Sequence, residues 1–190
     1  MTAAGSSAAV SAPAIRLSAN NQVPACITPG RLNAFLNDQI TRRGFALHPR
    51  HRNIAKWYRK HGQTQRVRWD YAFFQMALET NFLSFRRSNG QRGDVLPRQN
   101  NFAGLGTTGG GVRGDSYPDV STGVLAQIQH LVVYSGQRLR RPTGHRTRLK
   151  QNVILNSVRE IVRRRPVTFA DLAGRWAADR RYVRSCLLYT

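Results

Sequence analysis

One acidic residue, Glu79, stands in a segment of the chain that is otherwise almost entirely apolar. The segment runs from Asp70 to about Phe82 and contains Tyr71, Phe73, Phe74, Met76, Ala77 and Leu78. It predicts a buried helix opened by Asp70 as its N-cap. A carboxylate near the end of that helix opposes the helix dipole and loses hydration, and both effects favour a protonated acid such as glycosidases use. The simpler interpretation is an exposed last turn in which Glu79 pairs with Arg86 or Arg87.

A glycosidase also needs a second carboxylate, or a positioned water, on the far side of the scissile bond. Three aspartates lie in the glycine-rich segment 86–119 that follows the helix, namely Asp94, Asp115 and Asp119. Ordinary turn chemistry explains Asp94 and Asp119 better than catalysis does. Asp115 is therefore the preferred second group.

Charge sets the class of partner. The chain carries 30 basic and nine acidic residues, giving a net charge of +21. A field of this size attracts nucleic acid, anionic lipid or the carboxylates of a bacterial cell wall, although a solvated arginine-rich surface explains it equally well. The basic stretch from Arg138 to Arg165 has no legible nucleic-acid-binding motif and no interleaved aromatics, so nucleic acid is not the expected partner.

Cofactor and metal signals are weak. Gly104 to Gly109 spells GxGxxG but opens no helix and lies in no βαβ unit, so it predicts a mobile loop beside a cleft rather than a dinucleotide site. Cys26 and Cys186 are far apart, without a CxxC pair, so no metal site is expected. One disulfide or two free thiols both remain open.

The remaining pattern predicts one mostly helical domain over residues 28–190, preceded by a disordered tail over residues 1–27. Helix signals stand at Thr28 with Pro29, at Ile54, at Asp70, at Ser121 or Thr122, after a basic linker at 137–150, and at Thr168. No apolar run reaches the roughly 18 to 20 residues of a membrane span. The first 25 residues carry no visible secretory signal.

Four segments carry a family resemblance. Gln75-Met76-Ala77-Leu78-Glu79-Thr80, followed by Asn101-Phe102-Ala103-Gly104-Leu105, resembles the glucosaminidase domain of glycoside hydrolase family 73, the mannosyl-glycoprotein endo-β-N-acetylglucosaminidase-like proteins found in autolysins. In that family a helix of this pattern carries the general acid. Residues 116–121 and 176–182 look like two later family motifs. The resemblance covers residues 28–184 with the motifs in family order.

The resemblance implies an α+β lysozyme-like fold, in which a helical body surrounds a central buried helix and a small loop or hairpin lobe over 86–119 forms a cleft. It implies hydrolysis of the β-1,4 bond after N-acetylglucosamine in peptidoglycan, without a cofactor. Glu79 would be the general acid, and Asp115 falls near the second carboxylate. The implied substrate contacts are Asn101, Phe102, Gly104, Tyr117, Asp119 and Trp176.

One departure leaves an alternative open. The family tyrosine linked to activity falls on Trp176, which has no hydroxyl. A non-catalytic wall-binding or assembly module on the same fold is therefore the competing interpretation, ahead of a basic nucleic-acid-binding protein. As an enzyme, the protein is expected to be a monomer that binds glycan strands and anionic wall polymers in the periplasm or cell envelope.

Overall fold

A computed structural model describes residues 12–87, 89–108 and 110–176. In this part of the chain the regular structure is helical, and β structure is limited to isolated bridges. The α-helices are α1 (Pro29–Arg42), α2 (Ile54–Thr64), α3 (Trp69–Glu79), α4 (Val120–Tyr134) and α5 (His145–Arg164). A mostly helical fold is thereby confirmed. Over the same residues no helix is both long enough and apolar enough to cross a bilayer.

Helix α2 lies at the centre of the packing, in contact with α1, α3 and α4, while α5 packs on α4. Helix α3 is buried from Trp69 to Ala77, as its apolar sequence predicts. A chain of buried side-chain hydrogen bonds ties the three inner helices together. Tyr58 of α2 donates to Gln127 of α4 at 2.5 Å, and Gln127 donates to Gln75 of α3 at 2.9 Å. The Tyr58 and Gln127 side chains and the Gln75 oxygen are satisfied inside the core, whereas the buried Gln75 side-chain nitrogen has no hydrogen-bond partner among the described residues.

The amino end of α3 differs from expectation. The N-cap is Arg68, and Asp70 lies in the first turn. Asp70 is buried and receives the Arg68 guanidinium, with Nη2 and Oδ2 2.6 Å apart. The carboxylate still meets the positive end of the helix dipole, although as an ion-pair partner rather than as a cap.

The carboxyl end of α3 comes earlier than predicted. The helix ends at Glu79 instead of continuing to Phe82, because Asn81, Phe82 and Leu83 adopt left-handed backbone conformations with φ of 46°, 57° and 63°. Such conformations are uncommon outside glycine. Thr80 holds them, since its hydroxyl accepts from the Leu83 amide at 2.9 Å.

The amino-terminal segment also differs. Residues 12–27 were expected in a disordered tail, but Ile15 is fully buried. Its amide donates to the Val167 carbonyl, and its carbonyl accepts from the Arg68 amide, both at 2.9 Å. These contacts correct the tail boundary for the described residues, while residues 1–11 lie outside them. An extended strand-like segment needs a partner from elsewhere in the fold, so local composition did not reveal it.

The helix predicted from Thr168 is a single 3₁₀ turn, Phe169–Leu172, with the expected capping box between Thr168 and Asp171. The Asp171 carboxylate also pairs with Arg165 at 2.7 Å. Burial raises the pKa of Asp171, but the hydrogen bonds from Arg165 and Thr168 outweigh it and bring the pKa to about 2. Residues 177–182 of the last family-like segment lie outside the described residues.

Candidate active site

Glu79 is the last residue of α3, and its side chain is exposed. It lines a cavity of about 480 Å³, hereafter the acid cavity, whose charged and polar walls include Arg86, Arg87, Asp94 and Thr107. The expected loss of hydration at Glu79 is therefore wrong, whereas its place at the end of the helix is confirmed. The helix dipole remains as the reason why a negative charge is disfavoured there.

The two arginines of the simpler interpretation, Arg86 and Arg87, both contact other groups. Arg87 pairs with Asp94, with Nη2 and Oδ1 2.8 Å apart. Arg86 donates to the Gly90 carbonyl at 2.9 Å, and its guanidinium lies over the ring of Phe45. Of the three candidate second carboxylates, Asp94 shares the acid cavity with Glu79.

Trp176 reaches Glu79 from the far end of the described chain. Its indole Nε1 donates to Glu79 Oε1 at 3.1 Å. The indole is held in place by the rings of His130 and Tyr134, whose centroids lie 4.9 Å and 5.4 Å away. The residue that departs from the family tyrosine thus supplies a hydrogen-bond donor to the proposed acid.

Gly104 forms the wall opposite this hydrogen bond. A Cβ added there would lie 3.8 Å from Glu79 Oε2 and 3.3 Å from the Thr107 hydroxyl, and the backbone φ is +60°. A side chain at this position would be strained by the left-handed backbone and tight against the Thr107 hydroxyl, while its contact with the carboxylate would be ordinary. Glycine therefore suits this backbone conformation, and the loop backbone lies near Glu79.

Asn101 and Phe102 are buried and do not line the acid cavity. The Asn101 amide donates to the Leu105 carbonyl at 2.8 Å, and its carbonyl accepts from the Leu105 amide at 2.9 Å. Phe102 packs against the ring of His51. Direct sugar contact, as the resemblance implied, does not fit this burial, and the two residues instead hold the loop that carries Gly104.

A second cavity of about 300 Å³, hereafter the cationic cavity, lies beyond Gly104 and Thr107, which line both cavities. Its other walls include His130, Tyr134, Arg146, Lys150, Arg175 and Trp176. Burial and the nearby Arg146 lower the pKa of His130 to about 3, so this ring is neutral at ordinary pH. Its Nδ1 lies 2.8 Å from the Thr147 hydroxyl.

Asp115 lines neither cavity and is bound to backbone and to Tyr117. Its Oδ2 accepts from the Tyr117 hydroxyl at 3.0 Å and from the Arg146 amide at 2.9 Å. Arg146 belongs to the first turn of α5, so Asp115 satisfies a helix amide that would otherwise lack a partner. Tyr117 is buried, and burial together with Asp115 raises the pKa of its hydroxyl. This setting corrects the catalytic expectation for Asp115 and the substrate-contact expectation for Tyr117.

Asp119 has an equally local explanation. It is the N-cap of α4, and its Oδ1 accepts from the Thr122 amide at 2.8 Å and from the Thr122 hydroxyl at 3.0 Å. Turn and cap chemistry therefore accounts for Asp119, and substrate contact is not needed to explain it.

The cationic wall was not predicted from the sequence. Arg146 and Lys150 were assigned to a basic linker, but α5 begins at His145. Four residues apart on one helix, the two side chains share a face. That spacing was the available signal, and the absence of a local cap hid the helix start, because the capping carboxylate comes from Asp115.

No group of three or more metal-ligating side chains occurs among the residues that the structure describes. Cys26 is exposed and free, and Cys186 lies outside the described residues.

The chain is similar to an uncharacterized protein of Borreliella burgdorferi, with 31% identity over 129 residues. The match covers 68% of this chain and 56% of that relative, so this chain spans little more than half the relative's length. No protein-family model matches, and no solved structure matches.

Proposed function

We propose that this protein hydrolyses the β-1,4 bond after N-acetylglucosamine in peptidoglycan, with Glu79 as the general acid and a lysozyme-like cleft formed by the two cavities. The observation that carries the proposal is the position of Glu79. It is an exposed carboxyl group at the negative end of a buried helix, beside a cavity and between an indole donor and a glycine backbone. The helix end disfavours the anion, which suits keeping the proton before donation, and the indole hydrogen bond stabilises the anion that is left after the proton is given.

In the proposed reaction, Glu79 gives its proton to the glycosidic oxygen as the bond from that oxygen to the anomeric carbon breaks. Water supplies the new oxygen on the anomeric carbon and loses its proton to a base. Asp94 lines the same cavity and is the carboxylate available for that role among the described residues, although it also pairs with Arg87. The substrate acetamide is the alternative partner for the anomeric carbon.

The deciding experiment compares wild type with Glu79→Gln on purified cell wall, following released reducing ends and clearing in a gel. We expect about a 10² to 10⁴-fold loss of rate, because the amide cannot deliver a proton. Glu160→Gln is the matched control, since Glu160 is exposed on α5 and, within the described residues, forms an ion pair with Arg163 alone.

Each outcome has a distinct meaning. Equal rates for Glu79→Gln and wild type would remove Glu79 from the chemistry. A wild-type protein that binds wall without cleaving it would be the non-catalytic wall-binding module. Asp94→Asn in the same assay distinguishes the two candidates for the second catalytic group, Asp94 and the substrate acetamide. A loss of rate comparable to that of Glu79→Gln supports Asp94, and near-normal cleavage supports the acetamide.

A further inference from the structure

The cationic cavity lies next to the acid cavity, and the proposed chemical step at Glu79 does not use its charged groups. Gly104 and Thr107 form the partition, since both residues line both cavities. Trp176 stands at the same junction, with its indole NH on Glu79 and its ring in the wall of the cationic cavity. A glycan bound across Glu79 would therefore place a neighbouring sugar, or its substituent, at the cationic cavity.

The two cavities differ in charge. In the acid cavity, the carboxylate of Asp94 neutralises Arg87. The cationic cavity has Arg146, Lys150 and Arg175 in its wall, and none of them forms an ion pair with a carboxylate in the described part of the chain. Uncompensated cations that share a concave wall attract and orient an anionic group.

The nearest acidic residues do not neutralise this wall because they are bound elsewhere. Asp115 accepts from the backbone amide of Arg146, not from its guanidinium. Asp171 directs its carboxylate to Arg165 and offers Arg175 only its backbone carbonyl, 3.0 Å from Nη1. The positive field of the cavity acts on Tyr134 in its wall. Burial raises the pKa of the Tyr134 hydroxyl, and the charges of Arg146 and Arg175 oppose this rise.

Aromatic rings complete the wall. Tyr134 and Trp176 offer apolar ring surface beside the cations, and the Tyr134 hydroxyl is occupied by the Arg175 carbonyl at 2.9 Å. A pocket with an aromatic wall and with guanidinium and ammonium groups that form no ion pair among the described residues fits a carboxylate carried on a sugar or a short peptide. A continuous polyphosphate strand would need cations along an extended track, whereas these three surround one cavity of about 300 Å³.

We propose that the cationic cavity is a subsite for a carboxylate of the wall glycan, contacted by Arg146 and Lys150 and placed next to the bond that Glu79 cleaves. This inference rests on the proposed function. The carboxylate has two sources in peptidoglycan, namely the free lactyl group of a stem-free glycan and the carboxylates of the stem peptide.

The test measures equilibrium binding in the full chain carrying Glu79→Gln, so that the ligands stay intact. The probes are a neutral chitotetraose, a stem-free wall tetrasaccharide and a stem-bearing wall tetrasaccharide. We expect a carboxylate-bearing probe to bind about tenfold more tightly than chitotetraose at low salt. The double substitution Arg146→Gln and Lys150→Gln should bring this ratio close to one.

The matched control is Arg159→Gln with Arg164→Gln. Both residues are exposed on the same helix, neither lines a described cavity, and their replacement removes the same charge. The control should keep the tenfold ratio. Gln is compatible with a helix, and circular dichroism with thermal unfolding verifies that both double variants are folded.

Preference for the stem-free probe assigns the subsite to the lactyl carboxylate, and preference for the stem-bearing probe assigns it to the peptide. An unchanged ratio in the Arg146 and Lys150 variant, or an equal loss in the control, overturns the subsite. The subsite is also overturned if a single-stranded oligonucleotide binds more tightly than the carboxylate-bearing probes and if this binding depends on Arg146 and Lys150. Wild type that cleaves wall without the preference defeats only this inference, whereas preference without cleavage defeats only the proposed function.

Discussion

Two helix ends in this molecule each hold a carboxylate, and they use it in opposite ways. At the carboxyl end of α3, Glu79 is exposed beside the acid cavity and receives the Trp176 indole at 3.1 Å. At the amino end of α5, Asp115 accepts a backbone amide at 2.9 Å and the Tyr117 hydroxyl at 3.0 Å. Asp115 matches the positive end of a helix dipole, and Glu79 opposes the negative end of another.

The difference separates a carboxylate that stabilises the fold from the one proposed as the general acid. Asp115 closes an otherwise unpaired helix amide, so its negative charge is useful to the fold. Glu79 caps no amide of the described helices and lies exposed beside the acid cavity. A carboxyl group set against the negative end of a helix dipole in a cavity is the better candidate for chemistry.

The largest effect expected from this comparison is the loss of folding stability in Asp115→Ala. The substitution removes hydrogen bonds to a charged group and leaves the Arg146 amide unpaired, so we expect the free energy of unfolding to fall by about 3 kcal/mol. Tyr117→Phe removes one of these bonds and should cost about 1 kcal/mol. Chemical denaturation measures both.

Glu79→Gln is expected to have the opposite effect, with little change in stability. Because Glu79 is exposed, the free energy of unfolding of this variant should stay within about 0.5 kcal/mol of wild type. At a temperature where Asp115→Ala remains folded, that variant should retain wall cleavage within about tenfold. A rate loss as large as that of Glu79→Gln, without any loss of stability, would return Asp115 to the catalytic role and break the comparison.

The next effect is acid sensitivity near the amino end of α5. Burial and Arg146 hold the pKa of His130 at about 3, well below the ordinary 6.5. The unfolded chain takes up a proton below pH 6.5 that the folded chain refuses, so stability is complete above this pH and declines as the pH falls toward 3. His51, whose pKa burial lowers to about 4, adds to the same trend.

His130→Asn tests this assignment, because its amide can still reach the Thr147 hydroxyl without titrating. Between pH 7 and pH 5, we expect the variant to lose about 1 to 2 kcal/mol less unfolding free energy than wild type. Denaturation at a series of pH values supplies the measurement. If the free energy of unfolding falls equally with pH in the two proteins, His130 is not held neutral in the folded state.

The smallest effect concerns Trp176, the partner of Glu79. Trp176→Phe keeps an aromatic ring against His130 and Tyr134 but removes the NH group that donates to Glu79. We expect a three- to tenfold lower kcat, because this is roughly the contribution of a weak, exposed hydrogen bond to a charged group. A donated hydrogen bond stabilises the ionised carboxylate, so the alkaline limb of the pH–rate profile should move to higher pH.

Trp57→Phe is the matched control for this substitution. Trp57 lies on α2, where its ring stacks on His61, and it lines neither the acid cavity nor the cationic cavity. Trp57→Phe should leave both kcat and the pH–rate profile unchanged. The same kcat loss in both variants, with an unmoved profile, would indicate a packing effect rather than a contact with the acid.

Local signals predicted several elements because their causes are local. Thr28 caps α1 and accepts from the Arg31 amide at 3.3 Å, just before Pro29. The apolar run predicted that α3 is buried. The end of α3 was missed because Asn81, Phe82 and Leu83 are left-handed without being glycine, and no residue type announces that conformation.

The candidate site was predictable in part. Glu79 could be chosen from residue type and helical position alone, and its neighbour Gly104 came from the family resemblance. Burial of Asn101 and Phe102 was not predictable, because polar and apolar loop residues are equally able to hold a loop from within. The face shared by Arg146 and Lys150 was not predicted, because the sequence gives no local capping signal for the start of α5 at His145.

The sequence by itself determined a helical chain, a strongly positive charge and an acid near the carboxyl end of an apolar helix, because composition and periodicity act within a few turns of backbone. Tertiary structure decided which carboxylates are structural. The Glu79 and Trp176 contact joins residues 97 positions apart, and the Asp115 cap joins residues 31 positions apart. Such partners meet only when helices pack, so the chemistry of each carboxylate depends on the fold that surrounds it.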